Sequence, residues 1–500
     1  MVSNFLQYLE ASAQRVPEKV FMADDSCADT YSEFVSKARL IGSRISERVS
    51  PKNGVVILMD SRHVSCVEAM MGALYAGGFY IPLDPALPVE RLQLIFAQLE
   101  PALIVYDRKA KKAASELADS YDFVEFEELL NGSCDDIRLS EIRSSCKSSD
   151  LLCILYTSGS TGIPKGVTHT HGQFDAYAQQ AIESMGFDET TVFGNQSPYF
   201  YANSAIDLFP SIVLGATVYI LSASLLSFPK KMVEKLREYK VTELTMTPSS
   251  YNAVADADVL EPGCLPDLKY IELSGERANF KAMKKWTAAA CNGFLVNTYG
   301  STEMLSINRW IVDREFQDAE IVPVGVPHNY IDIIFMDENG QEARPGEKGE
   351  ILASNPFMSS GYYKDKERTQ AAFVNDPLNR GWNQIYYHTG DIGYLNDRGE
   401  LVVCGRKDNQ IKHNGYRMEL GEIEYAMSFI EGLKEGCCVY DPDAGCIVCF
   451  YTGDLTEKDL LAALRRILPR YAVPDRFIHL QEMPYNANVK IDRRKLAAMV

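Results

Sequence analysis

A glycine-rich loop with hydroxyl and lysine side chains is the clearest chemical signal in the sequence. It reads YTSGSTGIPKG over residues 156–166 and directly follows an apolar run. Its glycines allow close backbone approach, and its hydroxyls and lysine can donate to negatively charged oxygens, so the loop can wrap the β- and γ-phosphates of a nucleotide. It lacks the Gly-Lys-Ser/Thr ending of a Walker A loop. A flexible surface loop would have a similar composition, so this segment alone leaves both interpretations open.

The elements that must position this loop are predicted from the pattern of apolar residues. Short apolar runs alternate with amphipathic segments along most of the chain, which predicts strand–helix units and largely parallel sheets. The predicted strands cover residues 54–60, 102–107, 151–157, 269–273 and 293–300, and the predicted helices cover 64–75 and 89–98. Between these helices, the Gly and Pro residues of 77–88 indicate a turn-rich connection. Residues 108–150 are polar and predict a surface connection.

The pattern changes in the last third of the chain. Short β runs at 330–337 and 349–354, separated by turn residues, predict a β-rich subdomain. A charged segment, 405–424, contains the predicted linker at 406–408. Beyond it, helical patterns at 420–430 and 457–468 and a strand in the run CIVCFYTG are enough for a small α+β domain.

Composition excludes several classes of protein. The chain has 500 residues, 46% of them hydrophobic, with 50 basic and 68 acidic side chains and a net charge of −18. This balance argues against a nucleic-acid-binding surface, which needs clustered Lys and Arg. No window approaches the roughly 20 apolar residues of a membrane span, and the N-terminus lacks a signal-peptide pattern. Irregularly spaced cysteines favour reduced thiols, so we expect a cytoplasmic protein.

Seven segments, in order, resemble the AMP-forming carboxylate-activating superfamily of acyl-CoA synthetases, luciferases and nonribosomal-peptide adenylation domains. They are 74–91, 156–166, 297–303, 346–363, 387–391, 405–424 and 486–493. The chain looks most similar to stand-alone amino-acid-type adenylation enzymes, especially D-alanine–carrier protein ligases. The resemblance implies ATP and Mg²⁺. A carboxylate would attack the α-phosphorus of ATP to give an acyl-adenylate and pyrophosphate, and a thiol would then take the acyl group and expel AMP.

The same resemblance implies an α/β fold. A large N-terminal body (residues 1–407) would contain two α/β sheet subdomains and a β-rich subdomain, and bind ATP and the acid. A small mobile α+β C-terminal domain (residues 408–500) would carry the catalytic lysine. Asp408 matches the family's hinge position, and rotation there would exchange the groups needed for the two half-reactions.

Two lysines of this small domain match catalytic positions. Lys490 matches the family's C-terminal lysine and would contact both the attacking carboxylate and the α-phosphate. Val489 stands where the family usually has Gly. Rotation would replace Lys490 by the segment 415–416, with Lys412 on the thioester-forming face. As isolated residues these lysines would be ordinary surface charges.

The nucleotide site is predicted from further matches. Glu303 resembles the magnesium ligand, with Thr302 donating to phosphates and the Tyr299 ring stacking on adenine. Asp391 resembles the ribose-binding acid, with Arg406 beside it. As bare sequence, residues 299–303 could be a turn with Ser301 or Thr302 as a helix N-cap, and Asp391 an exposed turn residue. The other nucleotide-binding candidates are Thr157, Ser158, Gly159, Ser160, Thr161, Gly162, Lys165, Gly275, Glu276 and Gly300.

The acid pocket departs from the family's pattern. Relatives that activate α-amino acids place an Asp after an aromatic residue to pair with the substrate ammonium, and here Ala202 takes that place after Tyr201. An unpaired buried ammonium costs several kcal/mol, so the usual α-amino-acid recognition should be absent. The substrate then lacks an α-ammonium, or another acid supplies the charge. By alignment the pocket is lined by Tyr201, Ala202, Asn203, Ile206, Thr245, Glu272, Ser274, Thr298, Ser306 and Ile307.

Glu272 is the unusual member of this pocket. It could bind an amino group further along the substrate, as in a β-amino acid or a basic side chain. Alternatively, Arg277 or solvent neutralises it.

Three functions compete. The first is an ATP-dependent ligase that adenylates a small carboxylic or amino acid and loads it onto the phosphopantetheine of a separate carrier protein. The second uses coenzyme A as acceptor. The third is a non-catalytic nucleotide-binding sensor. No carrier-protein motif follows Lys490 before Val500, so we expect the carrier to be a separate protein or the acceptor to be coenzyme A.

Overall fold

The computed structural model describes residues 4–158, 164–276, 280–291, 293–316, 322–407, 410–413, 415–442, 444–485 and 491–500. They form two compact units. The first comprises Met1–Pro85, Pro101–Leu155 and Gly166–Lys407. The second comprises Ala86–Glu100, Tyr156–Lys165 and Asp408–Val500. The mobility that we expect of the C-terminal domain stays a prediction.

The strands alternate with helices through the first part of the chain and dominate after residue 308. In chain order they are β1 Val20–Ala23, β2 Ala28–Thr30, β3 Gly54–Leu58, β4 Phe79–Leu83, β5 Leu103–Tyr106, β6 Phe123–Glu125, β7 Leu151–Thr157, β8 Lys165–Thr170, β9 Val192–Asn195, β10 Thr217–Ile220, β11 Glu243–Met246, β12 Tyr270–Ser274, β13 Phe294–Tyr299, β14 Asn308–Ile311, β15 Asp332–Met336, β16 Gly349–Ser354, β17 Phe373–Asn375, β18 Ile385–Leu395, β19 Leu401–Arg406, β20 Gln410–His413, β21 Tyr416–Glu419, β22 Leu433–Asp441, β23 Cys446–Gly453 and β24 Arg476–His479.

The helices are of ordinary length, and none among the described residues combines the length and apolar character needed to cross a bilayer. They are α1 Leu6–Arg15, α2 Tyr31–Ser46, α3 Val64–Tyr75, α4 Val89–Leu99, α5 Lys111–Leu117, α6 Phe126–Leu129, α7 Asp136–Ser145, α8 His171–Met185, α9 Ala205–Leu214, α10 Pro229–Glu238, α11 Pro248–Asp256, α12 Phe280–Ala290, α13 Lys366–Ala372, α14 Leu420–Met427, α15 Glu457–Ile467 and α16 Arg493–Ala497. Single 3₁₀ turns cover Arg108–Ala110, Ala202–Ser204, Ala223–Ser227 and Arg470–Ala472.

A six-stranded sheet in the order β6-β5-β3-β4-β7-β8 contains the predicted strand–helix–strand segment. Strand β3 is parallel to both β4 and β5 and is buried along its whole length. Helices cover both faces of such a sheet, which explains why its strands are continuous apolar runs rather than alternating patterns.

Two predicted connections contain regular structure instead. The turn-rich segment 77–88 includes β4, a central strand. Its Pro82 is tolerated because β4 pairs with β7 only at Tyr80 and Cys153, before the proline. The polar segment 108–150 includes α5, α6 and α7 and the edge strand β6. These elements are short and bury few apolar residues, so their sequence does not differ from that of a surface loop.

An eight-stranded sheet in the order β14-β13-β12-β11-β9-β10-β1-β2 positions most of the pocket residues. Strands β9 to β13 run parallel, and β14 returns antiparallel to β13. Helices α8 and α9 pack on each other. Helix α8 begins with a capping box between Thr170 and Gln173 and ends at Gly186 in the left-handed conformation.

The predicted β-rich part is an antiparallel sheet of five strands. Its order is β15-β16-β18-β17, and β19 also pairs with the long strand β18. In the second unit, β20 and β21 form a hairpin, and β22, β23 and β24 form a three-stranded sheet. Cys438 and Cys449 are buried in the apolar core of this unit. The predicted class, a mixed α/β fold with several sheets and a small C-terminal α+β part, is confirmed.

Candidate active site

The carboxylate of Asp391 is held by one donor from the adjacent strand β19 and by one from the end of β13, a strand of the eight-stranded sheet. Asp391 lies on β18 directly opposite Arg406 on β19. The Arg406 Nη1 donates to Asp391 Oδ1 at 2.7 Å, and the Tyr299 hydroxyl donates to Oδ2 at 2.6 Å. Burial, followed by the Asp391 charge, raises the pKa of Tyr299 well above its ordinary value, so this hydroxyl keeps its proton. The interpretation of Asp391 as an exposed turn residue is therefore wrong.

Directly after Tyr299 the chain makes a tight loop that returns into β14. A side chain at Gly300 would place its Cβ 2.1 Å from the carbonyl oxygen of Leu305, so only glycine fits there. The Ile307 amide donates to the Tyr299 carbonyl at 2.7 Å and closes the loop. Residues 302–304 form a turn and no helix begins there. The alternative of Ser301 or Thr302 as a helix N-cap is therefore wrong.

Glu303 lies inside this loop and is fully buried. The Tyr362 hydroxyl donates to Glu303 Oε1 at 2.9 Å, and the Glu303 carbonyl accepts from the Ser359 amide at 2.7 Å. A buried carboxylate held in one orientation is the kind of hard oxygen ligand that Mg²⁺ takes. The described residues contain no cluster of three or more His, Cys, Asp or Glu side chains suited to a metal ion.

A buried histidine contacts the backbone of the same turn. His169 lies on β8 with no exposed surface, and its Nε2 lies 2.9 Å from the Thr302 carbonyl oxygen. Burial lowers the pKa of His169 to about 4, so the ring is neutral at pH 7 and its Nε2–H donates to that carbonyl. His169 thus fixes the backbone of Thr302, one residue before Glu303.

Gly275 and Glu276 follow β12. Gly275 has a φ of +96°, a conformation that favours glycine. The Glu276 carboxylate accepts from the Ser249 amide at 2.9 Å and from its hydroxyl at 3.2 Å, so it caps the first turn of α11. Their contact with a nucleotide stays a prediction.

The pocket residues that follow the parallel strands lie close together. Ser274 ends β12 and pairs in register with Thr298 on β13, and its hydroxyl donates to Asn203 Oδ1 at 3.0 Å. Asn203 and Ala202 belong to the 3₁₀ turn that precedes α9, where Ile206 is buried. In parallel sheets, ligands bind beyond these carboxyl ends. Tyr201 stands directly before the turn and is half-buried, while Ser306 and Ile307 are buried in the loop before β14.

Glu272 is paired with an arginine that the sequence did not suggest. Arg309 Nε donates to Glu272 Oε1 at 3.0 Å, and both side chains are only 1% exposed. The Thr298 hydroxyl donates to the same oxygen at 2.8 Å. Solvent does not neutralise Glu272, because its side chain is buried. Arg277, the other partner considered from the sequence, lies outside the described residues.

The remaining candidates belong to the second unit or lie outside the described residues. In the second unit, the Ser158 hydroxyl donates to the Arg417 carbonyl at 3.0 Å, and Lys165 is buried at the start of β8. Thr157 ends β7, and Lys412 lies on β20 opposite Arg417 on β21. The candidates outside the described residues are Gly159, Ser160, Thr161, Gly162, Asp408 and Lys490.

Sequence reasoning missed His169, Tyr362 and Arg309. Each is a polar residue in or beside an apolar segment, and each acts on a residue at least 37 positions away in the chain. Arg309 carried a usable signal, since a charge inside a short strand that is buried requires a partner.

Parallel α/β sheets whose strands end at a group of polar residues are typical of ligand-binding α/β enzymes. The model of the family "AMP-binding enzyme" matches residues 9–363. The chain belongs to this family, which confirms the resemblance seen in the sequence.

Named relatives cover nearly the whole chain. A D-alanine–D-alanyl carrier protein ligase from Bacillus velezensis is 30% identical over 496 residues, which are 94% of each chain. Bacitracin synthase 1 from Bacillus licheniformis is 28% identical over 497 residues, 98% of this chain, but the match spans only 9% of that protein.

Among solved structures, a double mutant of o-succinylbenzoate CoA synthetase from Bacillus subtilis has the same fold. Its TM-score is 0.86 at 20% identity, and the match covers 99% of this chain and 98% of that one.

Proposed function

We propose that this protein is an AMP-forming acid–thiol ligase. It activates a small carboxylic acid with ATP as the acyl-adenylate, releases pyrophosphate, and passes the acyl group to a thiol. The single observation that carries the proposal is the arrangement around Tyr299. The Tyr299 hydroxyl orients Asp391. The loop that directly follows Tyr299 contains the buried Glu303, four residues further along the chain.

In the first half-reaction, a carboxylate oxygen forms a bond to the α-phosphorus and the bond to the pyrophosphate oxygen breaks. The acid is already ionised at pH 7, so no general base is needed, and charge stabilisation carries the catalysis. Asp391 accepts hydrogen bonds from the ribose hydroxyls, and Thr302 donates to phosphate. Glu303 would hold a magnesium ion, which neutralises charge on the phosphates. Lys490 contacts the attacking carboxylate and the α-phosphate.

In the second half-reaction, a thiol loses its proton to solvent and its sulfur bonds to the acyl carbon. The bond from that carbon to the phosphate oxygen breaks, and AMP leaves. Lys412 acts on this thioester-forming step after the C-terminal domain rotates about Asp408. This order requires different groups in one pocket, which a hinge provides.

The acceptor is the phosphopantetheine of a separate carrier protein. The carrier protein ligase that resembles the chain over 94% of both lengths supports this choice. Coenzyme A is the second candidate, supported by the fold shared with a CoA synthetase. The protein acts in the cytoplasm, where ATP and reduced thiols are available.

Exchange of radiolabelled pyrophosphate into ATP tests the activation step. We expect exchange that depends on an added acid and that Lys490→Ala lowers at least about a hundredfold, since charge stabilisation in the transition state is lost. Lys458→Ala is the matched control, because Lys458 is exposed on α15, and it should exchange as the wild type does. Equal exchange in both variants would contradict the role of Lys490.

Loading assays distinguish the two acceptors. The enzyme, ATP and the best acid are incubated with holo-carrier protein or with coenzyme A at equal concentration, and thioesters are detected by mass spectrometry. We expect transfer to the carrier to exceed transfer to coenzyme A. The reverse preference would favour the CoA synthetase.

A further inference from the structure

Three carboxyl groups and one guanidinium lie buried together on elements that also carry or adjoin the predicted pocket residues. We call them the acidic layer: Asp207 on α9, Glu243 on β11, Glu272 on β12 and Arg309 on β14. Asp207 and Glu243 have no exposed surface, and Glu272 has 1%. Charged side chains are rarely buried to this extent unless they are paired, so each member needs an account of its partners.

Glu272 uses only one of its two oxygens. Oε1 accepts from Arg309 at 3.0 Å and from Thr298 at 2.8 Å. Oε2 is buried and has no hydrogen-bond partner among the described residues. The other Arg309 nitrogens point elsewhere, toward Tyr177 and Gln180 on α8, so Arg309 holds Glu272 through a single contact. A buried carboxylate oxygen without a hydrogen-bond donor lowers the stability of the fold, so it indicates a position where a ligand could donate a hydrogen bond.

Asp207 and Glu243 hold a proton between them. Each carboxyl is the other's hydrogen-bond partner, and Asn195 Nδ2 donates to Asp207 Oδ2 at 2.7 Å. Burial, and the negative charges nearby, raise the pKa of both groups. The acidic layer therefore contains one paired carboxylate with an unused oxygen and a carboxyl pair that can give up a proton.

Members of the acidic layer precede predicted pocket residues on the same strand. Glu272 stands two positions before Ser274 on β12, so both side chains project from the same face of the sheet. Thr298, beside Ser274 in register, reaches down to Glu272. Thr245, opposite Glu272 in register, donates to Glu243 at 2.6 Å. The acidic layer thus lies on the same strands as the predicted pocket residues, whereas Ala202 stands at the position where relatives place an acid.

We propose that the acidic layer receives a positively charged group of the substrate acid that is separated from the carboxylate by more than the α-carbon. The substrate class is then an amino acid with a β- or more distant amino group. Its ammonium donates to Glu272 Oε2, beside the buried Asp207–Glu243 pair. This inference rests on the proposed adenylation and adds the substrate class.

The test compares three acids with the same number of non-hydrogen atoms in pyrophosphate exchange. 4-Aminobutanoate carries the distant ammonium, pentanoate replaces it by a methyl group, and 2-aminobutanoate carries an α-ammonium. We expect kcat/KM for 4-aminobutanoate to exceed both others at least about tenfold, which is about 1.4 kcal/mol. Glu272→Gln should lower the ratio of 4-aminobutanoate to pentanoate about tenfold or more, because the amide carries no charge.

A control variant and a measurement of unfolding temperature complete the test of the acidic layer. Glu141→Gln changes an exposed glutamate on α7 and should leave the ratio as in the wild type. In the second measurement, 4-aminobutanoate with a non-hydrolysable ATP analogue should raise the unfolding temperature of the wild type more than pentanoate does. Exchange that is fastest with pentanoate or 2-aminobutanoate, or a ratio unmoved by Glu272→Gln, overturns the inference and leaves adenylation standing. No exchange with any acid contradicts the proposed function, and equal unfolding temperatures with the two acids overturn the inference separately.

Discussion

The carboxylates of the candidate site take their orientation from identifiable hydrogen-bond donors. Tyr299 and Arg406 each donate to a different oxygen of Asp391, and Tyr362 donates to Glu303. A charge-assisted hydrogen bond of this kind fixes a carboxylate before the ligand arrives, so binding costs less reorganisation. The same reasoning applies to backbone groups, where His169 holds the carbonyl of Thr302.

Replacing His169 tests this support at the residue scale. In His169→Leu the Thr302 carbonyl loses its donor, and we expect KM for ATP in pyrophosphate exchange to rise about tenfold as the turn shifts. His169→Gln keeps an N–H donor and should recover a substantial part of this loss. A KM for ATP unchanged in His169→Leu, despite a lower unfolding temperature, would mean that His169 is only structural.

The sequence predicted that Arg406 lies beside Asp391, but it did not predict the partner of Glu272, for a physical reason. Asp391 and Arg406 lie in recognisable motifs, and their pairing follows from adjacent antiparallel strands. The partner of Glu272 is Arg309, which reaches it only because β14 turns back beside β13 and places Arg309 opposite Thr298. No pattern in the sequence indicates the register of that turn, so the pairing could not be predicted.

At the scale of elements, the loop between β13 and β14 positions the predicted metal ligand. Its path depends on Gly300, whose missing Cβ leaves space for the Leu305 carbonyl. Strands β7 and β16 were predicted with their observed bounds, because short runs of apolar residues are typical of buried strands. Strand β4 was missed because Gly and Pro on either side of a short run are typical of turns.

Gly300→Ala tests the loop. The added methyl group must displace the Leu305 carbonyl, so we expect pyrophosphate exchange to fall at least about tenfold and the unfolding temperature to drop, because overpacking costs about 1–3 kcal/mol. Gly340→Ala is the control, since a Cβ there meets nothing within 4 Å. It has a φ of +74°, so it should lose a little stability but no exchange activity. Equal exchange in both variants would show that the loop tolerates a side chain.

At the scale of the whole molecule, a chain with a net charge of −18 buries part of its negative charge in the first unit. Glu243 and Asp207 titrate there beside Glu272, with the Tyr251 ring packed near them. Because burial raises the pKa of the pair above its ordinary value, the folded chain holds more protons than the unfolded chain as pH rises. Stability should therefore fall with rising pH across this window.

Glu243→Gln tests the sign of this dependence. Between pH 5 and pH 8 we expect the wild type to lose stability relative to Glu243→Gln, by at most about 1.4 kcal/mol per pH unit for one proton. Unfolding temperatures measured across this range report the difference, with Glu141→Gln expected to follow the wild type. Parallel pH profiles for the wild type and Glu243→Gln would contradict a shared buried proton.

Identification of the products made from ATP tests whether the protein activates an acid with formation of AMP. The wild-type protein is incubated with ATP, magnesium, 4-aminobutanoate and a thiol acceptor, with the acid omitted in a parallel sample, and nucleotides are identified by mass spectrometry. We expect AMP and pyrophosphate to be formed in equal amounts, and only when the acid is present. Formation of ADP and phosphate, or AMP formation at the same rate without any acid across the panel, would contradict it.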